Sequence, residues 1–257
     1  MAHSEATSRQ HPARHAVGGK TVYGARVGIL MMDTLFSRPL GDMGNVESWP
    51  FRALYRVVRG ASPQWVYSTP EAQVFEAFAR EADGLVAEGV DGLSICCGLM
   101  SLHQTQLARR TGVPVVTSSL LQGPLVQSLL PPGQRVGVVT ISTRLLADKH
   151  LLAAGLAADT PVEGMLDTDE LIQMRFRDDP WPMDVAAVEA GVLAAGERLV
   201  GRHPDIGAVV VECTLMPPYA SALARHIGRP VFDIHTLLCW FHSGLAPRDF
   251  GHPGSAL

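Results

Sequence analysis

The stretch SICCGLMSLHQTQLARRTGVPVV runs from Ser94 to Val116, and VECTLMPPYASALARHIGRPVF runs from Val211 to Phe232. Cys97 and Cys213 lie 116 positions apart, and the same offset relates Leu107-Ala108-Arg109 to Leu223-Ala224-Arg225, Gly112 to Gly228 and Pro114 to Pro230. A register kept without a gap over this span marks a duplication. A second echo, VGIL at 27–30 and VGVV at 136–139, has an offset of 109, so the two halves differ in loop length. Each copy reads as strand, cysteine, helix, short loop, strand.

Working outward, short apolar runs recur at 26–32, 92–96, 114–117, 135–140, 207–212 and 230–234, ahead of polar or glycine-rich turns. Between them lie Ala/Leu/Glu-rich segments of helical character, notably 70–89 and 185–201. Continuous apolar strands alternating with helices predict parallel sheets covered on both faces. The expected fold is α/β, with two pseudo-symmetric flavodoxin-like parallel-sheet domains and the active site between them. The expected organisation is a loose polar tail at 1–20, a first domain of 21–120 plus 233–257, and a second domain of 121–232.

In each copy the cysteine falls where a strand ends and a helix begins, the edge at which open α/β sheets bind ligands. If the halves face each other about a pseudo-twofold axis, Cys97 and Cys213 approach one cleft from opposite sides. A helix N-terminus favours a thiolate and supplies N–H donors to an anion. Two thiols flanking a cleft suit a chemistry in which a proton leaves one face of a carbon and another is returned to the opposite face.

Other readings of the thiols fit less well. Cys96 has Glu212 as its counterpart and, along a strand, points away from Cys97, which makes it core filler; Cys239 lies in the expected last helix and reads as core. The Cys96-Cys97 pair with His103 matches no usual zinc spacing, so no metal is expected. A cysteine–histidine hydrolase has candidates in His103, His203, His226, His235 and His242, but none is tied to a cysteine by a signature, and a hydrolase leaves the matched second cysteine unexplained. The CxxC spacing of a thioredoxin-like redox pair is absent.

Polar residues gather at the same strand ends: Asp33 and Thr34, then Thr117, Ser118 and Ser119, then Thr140, Ser142 and Thr143, and finally Thr214. Singly these are helix caps; together they can hold a carboxylate. The Gly-, Pro- and aromatic-rich tract 41–67 is placed to wrap over the cleft or pack at its edge, with Arg52, Arg56 and Arg59 as candidate contacts to a second carboxylate. DTDELIQMRF at 167–176 takes a comparable rim position in the second half.

Composition narrows the class. The 257 residues are 47% hydrophobic and 18% charged, the mixture of a globular protein with one large core or two small ones. A net charge of −4 with no basic cluster argues against a nucleic-acid partner, and no run resembles a membrane span or a signal peptide. Four cysteines without a leader read as reduced thiols of a cytoplasmic protein.

On these residues, with RVGIL and Asp33 near the start, the Cys97-Gly98 turn and Glu212-Cys213-Thr214 followed by MPPYA, the chain resembles the aspartate/glutamate racemase superfamily from about residue 25 to 245. The resemblance implies a cofactor-independent racemase or epimerase that acts on the carbon alpha to a carboxylate of an amino acid or related small acid. A lyase or decarboxylase through the same carbanion is the alternative, and a non-catalytic carboxylate-binding module is the alternative of another class. It makes Cys97 and Cys213 the acid/base pair and sets Asp33, Thr117, Ser118 and Thr214 around the substrate. Backbone N–H groups near Gly98-Leu99 and Thr214-Leu215, with Thr140 close by, are expected to hold the carboxylate. It also implies a homodimer or higher homo-oligomer. Amino-acid racemases tend to carry Asn-Thr after the first cysteine and Gly before the second, where this chain has Gly98-Leu99 and Glu212. The GDMGN tract and the Cys-Gly turn are closer to a branch that also resembles the algal dimethylsulfoniopropionate lyase. Retention of both cysteines departs from the arylmalonate decarboxylase pattern.

Overall fold

The computed structural model describes residues 18–165 and 183–248. The chain up to 17, the rim expected at 167–176 and the chain beyond 248 lie outside the described residues. Within them, two four-stranded sheets form. The first contains β1 (Val27–Met32), β2 (Ala53–Val58), β3 (Gly92–Ile95) and β4 (Val115–Val116) in the order β2-β1-β3-β4. The second contains β5 (Arg135–Thr140), β6 (Val162–Gly164), β7 (Ile206–Val211) and β8 (Val231–Phe232) in the equivalent order β6-β5-β7-β8. Every pairing is parallel. This is the duplicated flavodoxin-like architecture that the repeat predicts.

The register read from the sequence reappears in single hydrogen bonds. Leu93 N–H donates to Pro114 O at 3.0 Å, and Val209 N–H donates to Pro230 O at 2.9 Å, each partner displaced by 116. Cys96 N–H donates to Leu30 O and Glu212 N–H to Val139 O, both at 2.8 Å, so these bonds carry both the 116 and the 109 offsets. Gly112 and Gly228 end the repeat helices with φ of 68° and 64°, a left-handed conformation that glycine adopts without steric cost.

Helices cover the sheets because their apolar residues recur at helical spacing. In α2 (Glu71–Glu88), which follows α1 (Pro63–Ser68), the buried Val74, Phe78, Ala82 and Leu85 share one face. The repeat helix of the first half is α3 (Gln104–Thr111), and α4 (Gly123–Leu129) and α5 (Asp148–Ala153) follow it. In α6 (Val185–Arg202) the buried face is Val188, Val192, Ala195 and Leu199. The repeat helix of the second half is α7 (Pro217–Ile227), and α8 (Ile234–Leu245) is the last helix of the described chain. One core cluster joins Leu93 and Ile95 of the first sheet to Val136, Val138 and Val210 of the second through Leu120 and Val126. In α8, Ile234, Leu237 and Leu238 pack with Val27, Ile29 and Cys96 on the other face of the first sheet.

Two strands go beyond the sequence reading. β2 lies inside the aromatic tract 41–67, and β6 is three residues long; each is the edge strand paired with the first strand of its half.

Candidate active site

The ends of β3 and β7 open into one pocket between the halves. Cys97, Gly98 and Leu99 line it from the first half; Thr140, Cys213, Thr214 and Leu215 line it from the second. Cys96 and Glu212, the residues preceding the two cysteines, also reach it, and Met32, Phe36, Pro63 and Tyr67 complete one wall. The non-protein space amounts to about 550 Å³, part of it open to solvent. Among the described residues, no Lys, Arg or His lines this pocket. The five histidines considered for a hydrolase therefore stand outside it, and among the described residues no three His, Cys, Asp or Glu side chains form a metal-binding group.

The cysteines are set differently in the two copies. Cys97 directly precedes a 3-10 helix, Gly98–His103, that leads into α3. Cys213 is followed by a short turn, closed by Met216 N–H to Cys213 O at 3.1 Å, before α7 begins at Pro217. The bond from Met100 N–H to Cys97 O, at 3.0 Å, is its equivalent in the first copy. Helix formation in the second copy restarts at the Pro217-Pro218 pair, where missing N–H groups cost nothing.

Burial pushes the Cys97 thiol up to about 12, the Glu212 charge adds to the rise, and the N–H groups of Leu99 and Met100 oppose it. Cys97 is therefore a thiol at neutral pH. Glu212 is 3% exposed, and burial lifts its carboxyl to about 7 against a hydrogen bond from Thr140 Oγ1 to Oε2 of 2.7 Å. Tyr67 is 36% exposed over the whole residue, yet burial first, then Cys97, Glu212 and Cys213, raise its hydroxyl well above the usual tyrosine range. Tyr67 lines the pocket alongside these groups.

Gly98 and Glu212 fit each other. A Cβ on Gly98 would overlap Glu212 Oε1 and sit 2.6 Å from the Glu212 carbonyl oxygen. The two departures from the racemase pattern are thus one steric exchange: the residue after Cys97 is reduced to hydrogen where the residue before Cys213 carries a carboxyl. Gly98→Ala is expected to destabilise the fold by about 2 kcal/mol by overpacking. Adding Glu212→Ala should recover part of that loss in urea unfolding, and strict additivity of the two changes would contradict the contact.

Other residues expected near the substrate stand outside this pocket lining. Asp33 accepts from Gly60 N–H at 3.0 Å and from Arg59 at 3.3 Å, and it is not among the pocket-lining residues. Thr117 donates its hydroxyl to Gln104 Oε1 at 2.8 Å, and Ser118 Oγ accepts from Leu120 N–H at 3.2 Å; neither lines the pocket. Ser119 braces the two halves by donating to Val211 O at 2.7 Å. Arg56 pairs with Glu81 and Glu88, Arg59 with Asp33, and neither these nor Arg52 lines the pocket. The tract 41–67 does contribute to the wall, through Pro63 and Tyr67, while Met43 N–H donates to Thr214 O at 3.4 Å.

Cys96 takes part in more than filling space. Its sulfur lies 3.4 Å from Thr214 Oγ1 and 3.5 Å from Arg38, whose guanidinium also binds Asp42 Oδ1 at 2.8 Å and Thr34 Oγ1 at 2.7 Å. Arg38 escaped the sequence reading because nothing in its spacing ties it to the cysteines. Cys239 is half-buried, 3.8 Å from the His235 ring.

Two matched α/β halves that each deliver a cysteine to a shared pocket define a class of fold, and this chain shares that fold with an arylmalonate decarboxylase and an allantoin racemase, while its sequence is similar to algal dimethylsulfoniopropionate lyases. The fold is that of unliganded arylmalonate decarboxylase, with a TM-score of 0.57 at 16% identity over 90% of this chain and 94% of the other. It is equally that of allantoin racemase from Klebsiella pneumoniae, with a TM-score of 0.57 at 15% identity over 88% and 92%. In sequence, the chain is 28% identical to dimethylsulfoniopropionate lyase 5 of Emiliania huxleyi (strain CCMP1516), over 84% of this chain but only 45% of that protein. It is 25% identical to a dimethylsulfoniopropionate lyase of Durusdinium sp. clade D, over 81% of this chain and 71% of the other. The chain thus spans about half the length of the Emiliania relative. No protein-family profile matches it.

Proposed function

We propose that this pocket removes the proton alpha to the carboxylate of a small acid, with Cys97 and Cys213 as the acid–base pair. The observation that carries the reading is the arrival of one thiol from each half at a single pocket with no basic side chain in its described lining. With no cation there, the substrate carboxylate is held by N–H groups near Gly98-Leu99 and Thr214-Leu215 and by the nearby hydroxyl of Thr214. Burial keeps Cys97 a thiol at rest, so the less buried Cys213 serves as the first base. Its thiolate takes the α-proton, the C–H electron pair moves into the carboxylate as an enediolate, and the Cys97 S–H protonates the opposite face. The two sulfurs exchange protonation states, and reversal uses the same groups. The same reading puts the enzyme in the cytoplasm as a homodimer or higher homo-oligomer. Among the described residues no helix is long and apolar enough to cross a membrane.

A second ending shares the first step: the carbanion expels a β-substituent and leaves an olefin. The sequence relatives named as dimethylsulfoniopropionate lyases favour it, since the sulfonio group of that propionate sits beta to the carboxylate as a leaving group. Incubation in D₂O with amino acids, hydantoins, 2-hydroxy acids and dimethylsulfoniopropionate, followed by proton NMR, separates the endings. Loss of an α-proton signal without a new compound identifies racemisation, and a new olefinic signal identifies elimination. Retention of every α-proton across the panel would contradict the proposal.

A further inference from the structure

Glu212 is a buried carboxyl in the wall of the pocket that the proton transfer leaves unused. The fold makes room for it: Gly98 gives up its side chain, and Thr140 donates to Oε2 at 2.7 Å. The groups facing it are the thiol of Cys97 from the first half, Tyr67 from α1, Thr140 from β5 and Cys213 beside it in its own turn. None of them is a cation. Arg38, behind the lining beside Cys96, is engaged by Asp42, Thr34 and Cys96. Lys149, in the adjoining groove beyond Tyr67 and Leu145, is paired with Glu71.

We propose that Glu212 is a specificity-determining residue that excludes dicarboxylates, so that the site accepts small monocarboxylates whose remaining substituent is neutral or cationic. This rests on the carboxylate reading above. One carboxylate finds N–H donors at the cysteine turns. A second one meets the Glu212 charge and the apolar walls of Met32, Phe36, Ile141 and Leu145, with no cation in the described lining to replace its lost water. Repulsion of the wrong ligand is an efficient route to discrimination because like charges in a poorly hydrated pocket interact strongly. Burial holds the carboxyl near 7, so the exclusion is strong at pH 8 and relaxes at pH 6, where Glu212 is mostly protonated.

Calorimetric titration of the full chain with isosteric pairs tests this: aspartate against asparagine, glutamate against glutamine, and glutarate against 4-carbamoylbutanoate. At pH 8 the amide member of a pair is expected to bind more tightly by about tenfold or more. In Glu212→Gln that ratio should fall towards one, through tighter binding of the diacid. If the variant does not fold, the wild type still supplies the answer, because the aspartate and glutamate ratios should shrink between pH 8 and pH 6 while both ligands keep their charges. Equal binding within every pair by the wild type at pH 8 overturns the inference alone. No binding of any of these acids also overturns the inference, while the carboxylate reading is decided separately by the α-proton panel above.

Discussion

Cys97→Ser and Cys213→Ser are each expected to lower product formation by about 10³-fold with the substrate identified by NMR, within the range that positioned acid–base groups contribute. Serine keeps the size of the side chain but neither donates nor accepts this proton readily near neutrality, because its hydroxyl is a far weaker acid than a thiol. The loss should fall on kcat more than on KM, as the sulfurs act on the reacting hydrogen while the carboxylate is held by backbone N–H groups. Cys96→Ser is the internal control. That thiol also lines the pocket, but its sulfur is engaged by Thr214 and Arg38 at 3.4 and 3.5 Å. A Cys96 variant as damaged as the other two would mean that polarity near β3, and not the matched pair, governs turnover.

Replacing Glu212 by Gln should stabilise the fold in a pH-dependent manner. The carboxyl titrates near 7 in the folded chain and at its ordinary 4.5 when unfolded. Below 4.5 both states hold the proton and the residue contributes nothing. Between 4.5 and 7 the folded state keeps a proton that the unfolded state releases, so stability falls as pH rises. Above 7 the full penalty applies, on the order of 3 kcal/mol for a shift of this size. Glu212→Gln keeps an acceptor for Thr140 and removes the charge. Its unfolding free energy should therefore exceed that of the wild type by about 2–3 kcal/mol at pH 8, with little difference at pH 4.5. Urea titrations at the two pH values read this directly, and a difference that is constant with pH would place the Glu212 charge in water.

The duplication was open to sequence reading because a repeat copies its structural constraints along with its residues. Gly112 and Gly228 recur since both helices end in a left-handed turn, and Pro114 and Pro230 recur where each carbonyl receives the same β-strand N–H. β2 was hidden for the opposite reason. Ala53–Val58 is a half-buried edge strand in a tract rich in aromatic and proline residues, so it lacks the continuous apolar run of the inner strands. The site was legible at the cysteines, whose position at strand ends follows from the fold class. Its other hydroxyls were harder to assign. A Ser or Thr at a strand end serves the backbone as readily as a ligand, and Thr117 and Ser118 bond to Gln104 and Leu120. Gly98 and Glu212 stood out as separate departures from a racemase pattern. Their steric dependence exists only across the interface between the halves, 114 positions apart in the chain.

Face-selective exchange in D₂O tests the cysteine pair most directly. With a substrate bearing one α-hydrogen, the two enantiomers are offered separately to Cys97→Ser and to Cys213→Ser, and the α-proton signal is followed. For a substrate with two α-hydrogens, the two prochiral positions take the place of the enantiomers. Each variant retains one thiol on one side of the carbon, so the washout each supports should come from a single stereochemical position, opposite in the two variants, and should be slower in Cys213→Ser, whose remaining Cys97 is a thiol at rest. Washout from the same position by both variants, or unchanged exchange from both positions by either, would contradict an acid–base pair assembled from the two halves.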